Sequence, residues 1–378
     1  MKIQTKDYKN AGAYPIVDQG QALTAGWTES RDAVIYAPLP LIVFGDHSRT
    51  FKYVDRPFAR GADGTQLLRP VDEIDPLFFF YACRAIDLPS RGYNRHFTLL
   101  KEKSFSYPSD GVVQRSIAAL LSRVERALLL QDELVALLEQ VKAAAMHQLF
   151  SRGLRGEAQK ETEMGPVPDS WVKVSFRDLG RIVTGTTPST KVPEYYEGGQ
   201  IPFISPGDIT TGVAVTEAQK VLTQEGLEKA RPLPRGTTLV VCIGSSIGKV
   251  GQTTGQVSAT NQQINAIVAG SEFEPDYVFH LVTRHADVIR RAASPSPVPI
   301  LSKGPFETLE LYTSKDPLEQ REIAQVISSL DRKIDLHRRK GEVLDQLFES
   351  LLHKLMTGEV SVDALDLSVL PKLEGSAA

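Results

Sequence analysis

Gln114-Arg115-Ser116-Ile117-Ala118 and Gln320-Arg321-Glu322-Ile323-Ala324 are one opening written twice, 206 residues apart. The match runs on without a gap for about forty positions, the mark of an internal repeat. Ser122 meets Ser328, Arg126 meets Arg332, Leu130 meets Leu336, Leu138 meets Leu344, Gln140 meets Gln346 and His147 meets His353. In the first copy the apolar stripe runs Ile117, Leu121, Val124, Leu128, Val135, Leu138, Ala145, Leu149. In the second it runs Ile323, Ile327, Leu330, Ile334, Leu344, Phe348, Leu351, Leu355. Steps of three and four residues are coiled-coil spacing, kept here for about five heptads. No proline interrupts either run, and Gly153 and Gly358 stand where a helix-ending glycine belongs. At ~1.5 Å per residue each predicted helix reaches about 60 Å. Gln131 and His337 interrupt the two stripes at the same repeat position. They are either tolerated in a long helix or set the register between two of them.

Outward from these helices the composition changes. Residues 1–110 and 166–312 are rich in glycine, proline and short β-branched runs, such as Leu41-Ile42-Val43-Phe44-Gly45 and Leu239-Val240-Val241-Cys242-Ile243-Gly244. These read as apolar strands ending in glycine turns. The two segments resemble each other weakly but in order. Tyr14-Pro15-Ile16-Val17 parallels Ile201-Pro202-Phe203-Ile204, and Asp75-Pro76-Leu77-Phe78 parallels Glu274-Pro275-Asp276-Tyr277. His96-Phe97-Thr98-Leu99-Leu100-Lys101 lies opposite Pro299-Ile300-Leu301-Ser302-Lys303. The expected order is a globule at 1–110, a long helix at 111–155, a linker at 156–165, a second globule at 166–312, a second helix at 313–360 and a tail at 361–378.

The chain has 378 residues, length for two to three domains if a domain runs roughly 100–200 residues. A 42% hydrophobic and 24% charged composition excludes disorder and fibre. Lys and Arg total 43 against 46 acidic residues, so a nucleic-acid role needs local patches or a basic partner. Cys83 and Cys242 form no CxxC, which argues against a zinc site or a disulfide framework and fits a reducing cytosol. The candidate apolar run, Val34 to Phe44, carries two prolines and falls short of the ~18 residues of a membrane span. The expectation is a cytoplasmic protein.

Catalytic signatures fail one by one. Gly244-Ser245-Ser246-Ile247-Gly248-Lys249-Val250 has three residues between its glycines where a phosphate-cradling loop needs four, and Val250 where that loop needs Ser or Thr. Asp331-Arg332-Lys333 has an acid-x-lysine spacing but sits mid-helix, where a packed or solvated face is the better reading. No Pro-Pro pair, His-Glu-x-x-His or Gly-x-Ser-x-Gly occurs. No catalytic or metal-binding residue is assigned.

What remains is recognition chemistry. Gly45-Asp46-His47-Ser48-Arg49 follows an apolar strand, and Arg91-Gly92-Tyr93-Asn94-Arg95-His96 crowds donors and acceptors together. In the second globule the counterparts are Ser245, Ser246 and Lys249 in the glycine turn and Asn261-Gln262-Gln263. Arg forks onto guanine, Asn and Gln onto adenine, and Lys meets phosphate. Any one such loop is more often simply solvated; the occurrence at corresponding places in two repeats strengthens both.

The sequence resembles the specificity subunit of a type I restriction–modification enzyme over essentially its whole length. The residues that carry this are Lys2 to Tyr8 with Tyr14-Pro15-Ile16-Val17-Asp18-Gln19, Phe44 to Arg49, and Thr184-Gly185-Thr186-Thr187-Pro188-Ser189 with Ile201 to Ile209. The helical repeat from Ile323-Ala324 through Leu330-Asp331-Arg332-Lys333-Ile334 to Leu355-Met356-Thr357-Gly358-Glu359 is its most characteristic piece. The resemblance implies an α+β chain in which two α/β target-recognition domains alternate with two long conserved helices that pair as an antiparallel coiled coil. It implies a non-catalytic subunit that reads a bipartite double-stranded DNA site and docks two modification (methyltransferase) subunits, which restriction subunits join. The subunit itself would hold no cofactor, while the assembled complex would use S-adenosylmethionine, ATP and Mg. The expected DNA-binding residues are Asp46, His47, Ser48, Arg49, Arg91, Tyr93, Asn94, Arg95, His96, Lys101, Thr186, Thr187, Ser245, Ser246, Lys249, Asn261, Gln262, Gln263 and Lys303. One departure stands out. The second globule opens with Trp171 to Arg181, a strand and short helix before its Thr-Gly-Thr-Thr-Pro loop, and the first has nothing to match. Either the start lies upstream or the first domain is shortened. The alternative from another class is a coiled-coil scaffold whose globules bind other proteins.

Overall fold

Four helices carry the architecture: α1 (Pro76–Ala85), α2 (Gly111–Arg152), α3 (Pro275–Arg284) and α4 (Pro317–Met356). The computed structural model describes residues 2–36, 38–89 and 95–365. α2 and α4 are the repeat copies, 42 and 40 residues long. Their ends are local decisions: Gly153 (φ 62°) and Gly358 (φ 74°) take the left-handed conformation that residues with a Cβ avoid. α1 and α3 each start with proline at the first helical position, where its missing N–H costs no hydrogen bond. Asp75 caps α1 by accepting from the N–H groups of Leu77 and Phe78 at 3.0 and 2.9 Å.

The chain divides into two units. The first comprises Met1–Glu133 and Arg339–Ala378, and the second Leu134–Arg338. Each therefore contains one globule, the start or end of α2 and the opposite end of α4.

In the first unit a three-stranded antiparallel meander places 41–45 between 51–54 and 65–68. A second sheet sets strand 58–61 parallel to 2–3 and 14–17, with 34–35 and 26–28 completing it. One face of the meander and α1 meet the long helices in a shared core: Ile42, Phe78 and Tyr81 join Ile117, Leu121 and Val124 of α2 and Phe348, Leu352 and Leu355 of α4. At ~1.5–3 kcal/mol for each fully buried large apolar side chain, this contact anchors the globule to the helices.

The second unit repeats the plan with additions. The meander becomes 250–253, 238–241 and 264–269, and strand 257–260 runs parallel to 201–204. Strand 180–184 flanks 264–269 and strand 213–215 flanks 250–253, making five strands. Strand 172–175 pairs antiparallel with 310–313. Strand 172–175 and the start of strand 180–184 belong to the opening read at 171–181, whereas among the described residues of the first unit 65–68 pairs with 41–45 alone. Met146, Leu149 and Phe150 of α2 share a core with Ile323, Ala324 and Ile327 of α4, together with Trp171, Phe176 and Tyr277 of the globule.

In each unit the beginning of one long helix thus packs on the end of the other, which is the antiparallel pairing the stripes implied. Gln131 and His337 are half-buried. Asp331 of the acid-x-lysine triplet forms an ion pair with Lys142 of α2, a helix-to-helix contact. Gln159–Lys160 of the linker and Val167–Pro168 at the start of the second globule form a two-stranded hairpin. No helix among the described residues is long and apolar enough to cross a membrane.

Candidate nucleic-acid interface

Strand pairing aligns the two globules independently of their sequences. Phe44 pairs with Phe51 and Gln66; at the matching place Val240 pairs with Val250 and Asn265. The hairpin turn between the first two strands therefore occupies 46–49 in the first unit and 242–248 in the second, three residues longer. Asp46 N–H donates to Gly64 O at 2.6 Å, and Cys242 N–H donates to Gln263 O at 2.8 Å. Asp46 O accepts from His96 N–H at 3.0 Å, and Cys242 O accepts from Leu301 N–H at 2.8 Å. Asp46 and Cys242 are thus one structural position, as are His96 and Leu301. Arg49 (φ 62°) matches Gly248 (φ 83°), both in the left-handed region. In this register Gly45 matches Val241, so Gly244 lies within the longer turn.

The equivalence explains where the first unit's polar residues go. Asp46 and His96 are 2% and 0% exposed, and their counterparts Cys242 and Leu301 are buried too. The Asp46 carboxylate accepts from Phe97 N–H at 2.7 Å, and His96 Nδ1 stands 2.9 Å from Asp46 O. A carbonyl only accepts, so Nδ1 carries the proton. These two residues were expected to face DNA; here their polar groups are spent on shaping the loop, because each lies at a core position. His47 N–H donates to Gln19 Oε1 at 3.3 Å, Ser48 Oγ lies 2.8 Å from Thr50 Oγ1, and Arg49 Nη1 donates to Leu88 O at 2.6 Å. Arg49, Arg95 and Lys101 are exposed. The Lys101 ammonium sits 5.4 Å from the Phe97 ring centroid. Arg91, Tyr93 and Asn94 lie outside the described residues.

In the second unit main-chain hydrogen bonds gather four loops. Gly185 N–H donates to Ile264 O at 3.0 Å, Thr186 N–H to Thr260 O at 2.9 Å, and Gly244 N–H to Pro299 O at 2.9 Å. Thr187 Oγ1 donates to Gln262 Oε1 at 2.6 Å, an exposed pair. Asn261 Nδ2 donates to Gln263 Oε1 at 2.9 Å, while Gln263 N–H donates to Asn261 Oδ1 at 3.0 Å. Ser245 is exposed, and Ser246 and Lys249 are half-buried in the turn beside this pair. Lys303 follows Leu301 on a short helix and is exposed, 3.4 Å from Glu307 one turn along, a contact worth little in water. Thr186, Thr187, Ser245, Ser246, Lys249, Asn261, Gln262 and Gln263 therefore share one loop cluster.

Two residues were missed by sequence reasoning. Lys52 is 6% exposed, and its ammonium donates to Asp18 O and Ala22 O at 2.8 and 2.5 Å beside the Asp18 carboxylate at 3.8 Å. Burial pulls its pKa below the usual amine range, and Asp18 pulls it partly back. It ties the 18–22 loop to strand 51–54. The signal was the period-2 alternation that puts Lys52 on the inward face with Val54. Exposed Arg231 donates to Thr184 O at 2.8 Å at the edge of the second unit's cluster, with no sequence signal to mark it.

Residues 168–346 match the family model described as the type I restriction modification DNA specificity domain. The chain is 28% identical over 207 residues to the MjaIX specificity subunit of Methanocaldococcus jannaschii, covering 53% of this chain and 47% of that relative. It is 22% identical over 376 residues to a type I restriction enzyme specificity subunit of Escherichia coli, covering 92% and 89%. The fold matches the crystal structure of a type I S subunit from M. genitalium with a TM-score of 0.63 at 17% identity, over 93% of this chain and 90% of that one. Residues 168–346 belong to the type I restriction modification DNA specificity domain family. A structure described as underlying complex assembly and conformational transition of the type I system matches at a TM-score of 0.52 and 14% identity, over 92% of each chain. The family model covers the second globule and most of α4, whereas the E. coli relative and the M. genitalium fold extend over both globules.

Proposed function

We propose that this subunit reads a bipartite double-stranded DNA site, one half with the loop cluster of each unit, and holds two modification subunits that restriction subunits join. The observation that carries the reading is that the polar loops are built on equivalent hairpins of two units that share one plan. Arg49 and Arg95 would fork onto base edges or phosphates in the first unit, and Lys249, Lys303, Asn261 and Gln262 would act in the second. Asp46 and His96 would shape the first loop from beneath. Docking would use apolar positions that the long helices leave exposed: Leu130, Leu137 and Val141 of α2 and their repeat partners Leu336, Val343 and Leu347 of α4 are all more than 40% exposed. Equivalent apolar positions suit two copies of one partner. S-adenosylmethionine, ATP and Mg would enter with those partners.

The test is binding of the assembled complex to cognate and scrambled duplexes across a salt series, the cognate site being taken from methylome sequencing of the host. Arg49→Ala or Arg95→Ala should cost ~1–3 kcal/mol on the cognate site and relax one position. Lys249→Ala or Lys303→Ala should weaken binding to every sequence and make the salt dependence shallower by about one unit. Unchanged affinity and slope in all four would move the interface to other loops. Absence of any sequence preference in the wild-type complex would overturn the reading.

A further inference from the structure

Each long helix opens with a glutamine, and the two glutamines are used identically. Gln114 and Gln320 are both 0% exposed. Gln114 Oε1 accepts from Asp75 N–H at 2.7 Å, the residue that precedes α1. Its Nε2 donates to Glu73 O at 3.2 Å and Pro108 O at 2.7 Å. Gln320 Oε1 accepts from Glu274 N–H at 3.0 Å, the residue that precedes α3, and its Nε2 donates to Glu272 O at 3.2 Å and Ser314 O at 2.9 Å. The same three bonds are made to corresponding main-chain groups of two globules whose loops otherwise differ.

A buried amide with three directed bonds removes a freedom that apolar packing leaves. Phe78 or Tyr277 pressed on a helix resists separation, but packing forces are nearly non-directional, so a globule held by them alone can swivel about the contact. The glutamine clamps the entry of α1 or α3, and the strand or loop leading into the long helix, to one point on that helix. We infer that Gln114 and Gln320 are positioning residues that fix each globule's orientation on its helix, and so set how sharply the subunit distinguishes the correct spacing between half-sites from a wrong one. The inference rests on the bipartite reading proposed above. One base pair added between half-sites moves the second by about 3.4 Å and turns it by about 35°, from a helical turn of about 34–36 Å and 10–10.5 base pairs. A swivelling globule would follow such a step; a clamped one would not.

The experiment uses the full chain assembled with its modification subunits. The probes are duplexes bearing the host's modified motif at native spacing, at one base pair more and one fewer, and a duplex with a single half-site. Gln320→Met and Gln114→Met keep the side-chain volume and lose all three bonds. The expected result is at least a tenfold loss of discrimination between native and altered spacing, with single-half-site affinity within twofold of wild type. Ile327→Val, a core change in the same unit that leaves the clamp intact, should keep wild-type discrimination at a comparable fall in Tm. If the methionine variants do not fold, Gln320→Asn, which keeps the amide but is one methylene too short to hold all three partners, carries the same test. Wild-type discrimination in a folded glutamine variant would overturn the proposal and leave a merely structural role. A wild-type complex that ignores one half-site altogether would overturn the bipartite reading and this inference with it, an outcome told apart by the single-half-site duplexes.

Discussion

In the first unit the Arg84 guanidinium of α1 lies 4.8 Å from the ring centroid of Phe348 on α4 and forms an ion pair with Glu125 on α2. Tyr81 of α1 donates to the same Glu125 carboxylate at 2.9 Å. In the second unit the repeat puts Lys142 where Phe348 stands and Asp331 where Glu125 stands. These two form an ion pair, and the Lys142 ammonium also donates to Gly212 O in the globule at 3.0 Å. His280, in the place of Tyr81, brings its Nε2 within 3.1 Å of Ser328 Oγ. Both junctions put one acid on the helix that follows the globule and one cation against it. The cation comes from the globule's own helix in one unit and from the other long helix in the second. An ion pair demands proximity and opposite charge but is indifferent to which element supplies which, so this part of the repeat has diverged while the glutamine clamp has not.

The largest test of this difference is Phe348→Lys, which writes the second junction into the first. It removes a side chain that is 2% exposed and sets an ammonium beside Arg84. The expected loss is about 4 kcal/mol, in the range for emptying a buried aromatic site, read as faster amide exchange in 117–124 and 348–355. Adding Arg84→Thr, the residue found at the corresponding place as Thr283, should return about 1 kcal/mol by leaving Glu125 to the new ammonium. A double variant as damaged as the sum of its parts would show that the junctions are not interchangeable.

Acid should separate the units next. Burial of His280 in the second unit, with Lys142 adding to it, holds its pKa down at about 3 against 6.5 for a free side chain. A depressed folded-state pKa means stability that is complete above 6.5 and is lost as the pH falls towards 3, because the unfolded chain takes the proton first. By pH 5 about 2 kcal/mol is gone. His285, lowered by burial in the same unit, adds in the same direction. Tyr81, whose pKa burial and Glu125 push upward, does not titrate there. Amide protection, taken relative to the intrinsic exchange rate at each pH, should therefore fall between pH 7 and 5 in α3 and not in α1, and His280→Tyr should reduce the difference. The carboxyl of Asp331 runs the other way. Burial raises its pKa against the Lys142 hydrogen bond, so its cost fades only as acid approaches the carboxylate range.

The smallest effect belongs to Arg338 and Glu139, paired at 2.5 Å between α4 and α2 with about half of each side chain exposed. Arg338→Ala should change stability by no more than about 0.5 kcal/mol, since solvent screens the pair, and leave Tm within a degree or two. A larger loss would mark the middle of the helix pair, rather than its ends, as the place where the two helices are held.

Much of this fold was legible before any coordinates. The stripes of α2 and α4 and the glycines that end them act within a turn or two of chain, and they stand as read. The loops were located but not their insides. Asp46 and His96 carry the chemistry of a DNA contact yet occupy a core position, and the second turn has three extra residues that only strand pairing places. Lys52 showed itself only as a lysine on an inward face. Gln114 and Gln320 were visible as a repeated letter, without the three bonds that give the letter its use.

By itself, then, the sequence determined that the chain repeats, where its helices lie, which of their faces are apolar and which family it resembles. Each of these depends on spacing along the chain, and a helix or strand imposes that spacing within a few residues. Tertiary structure alone decided which polar groups are sealed in and which face solvent, which cation reaches which acid, and how each globule is clamped to its helix. Those outcomes turn on partners far away in sequence, such as Asp46 with Phe97 or Lys142 with Asp331, and burial is a property of the neighbours that arrive, not of the residue that waits for them.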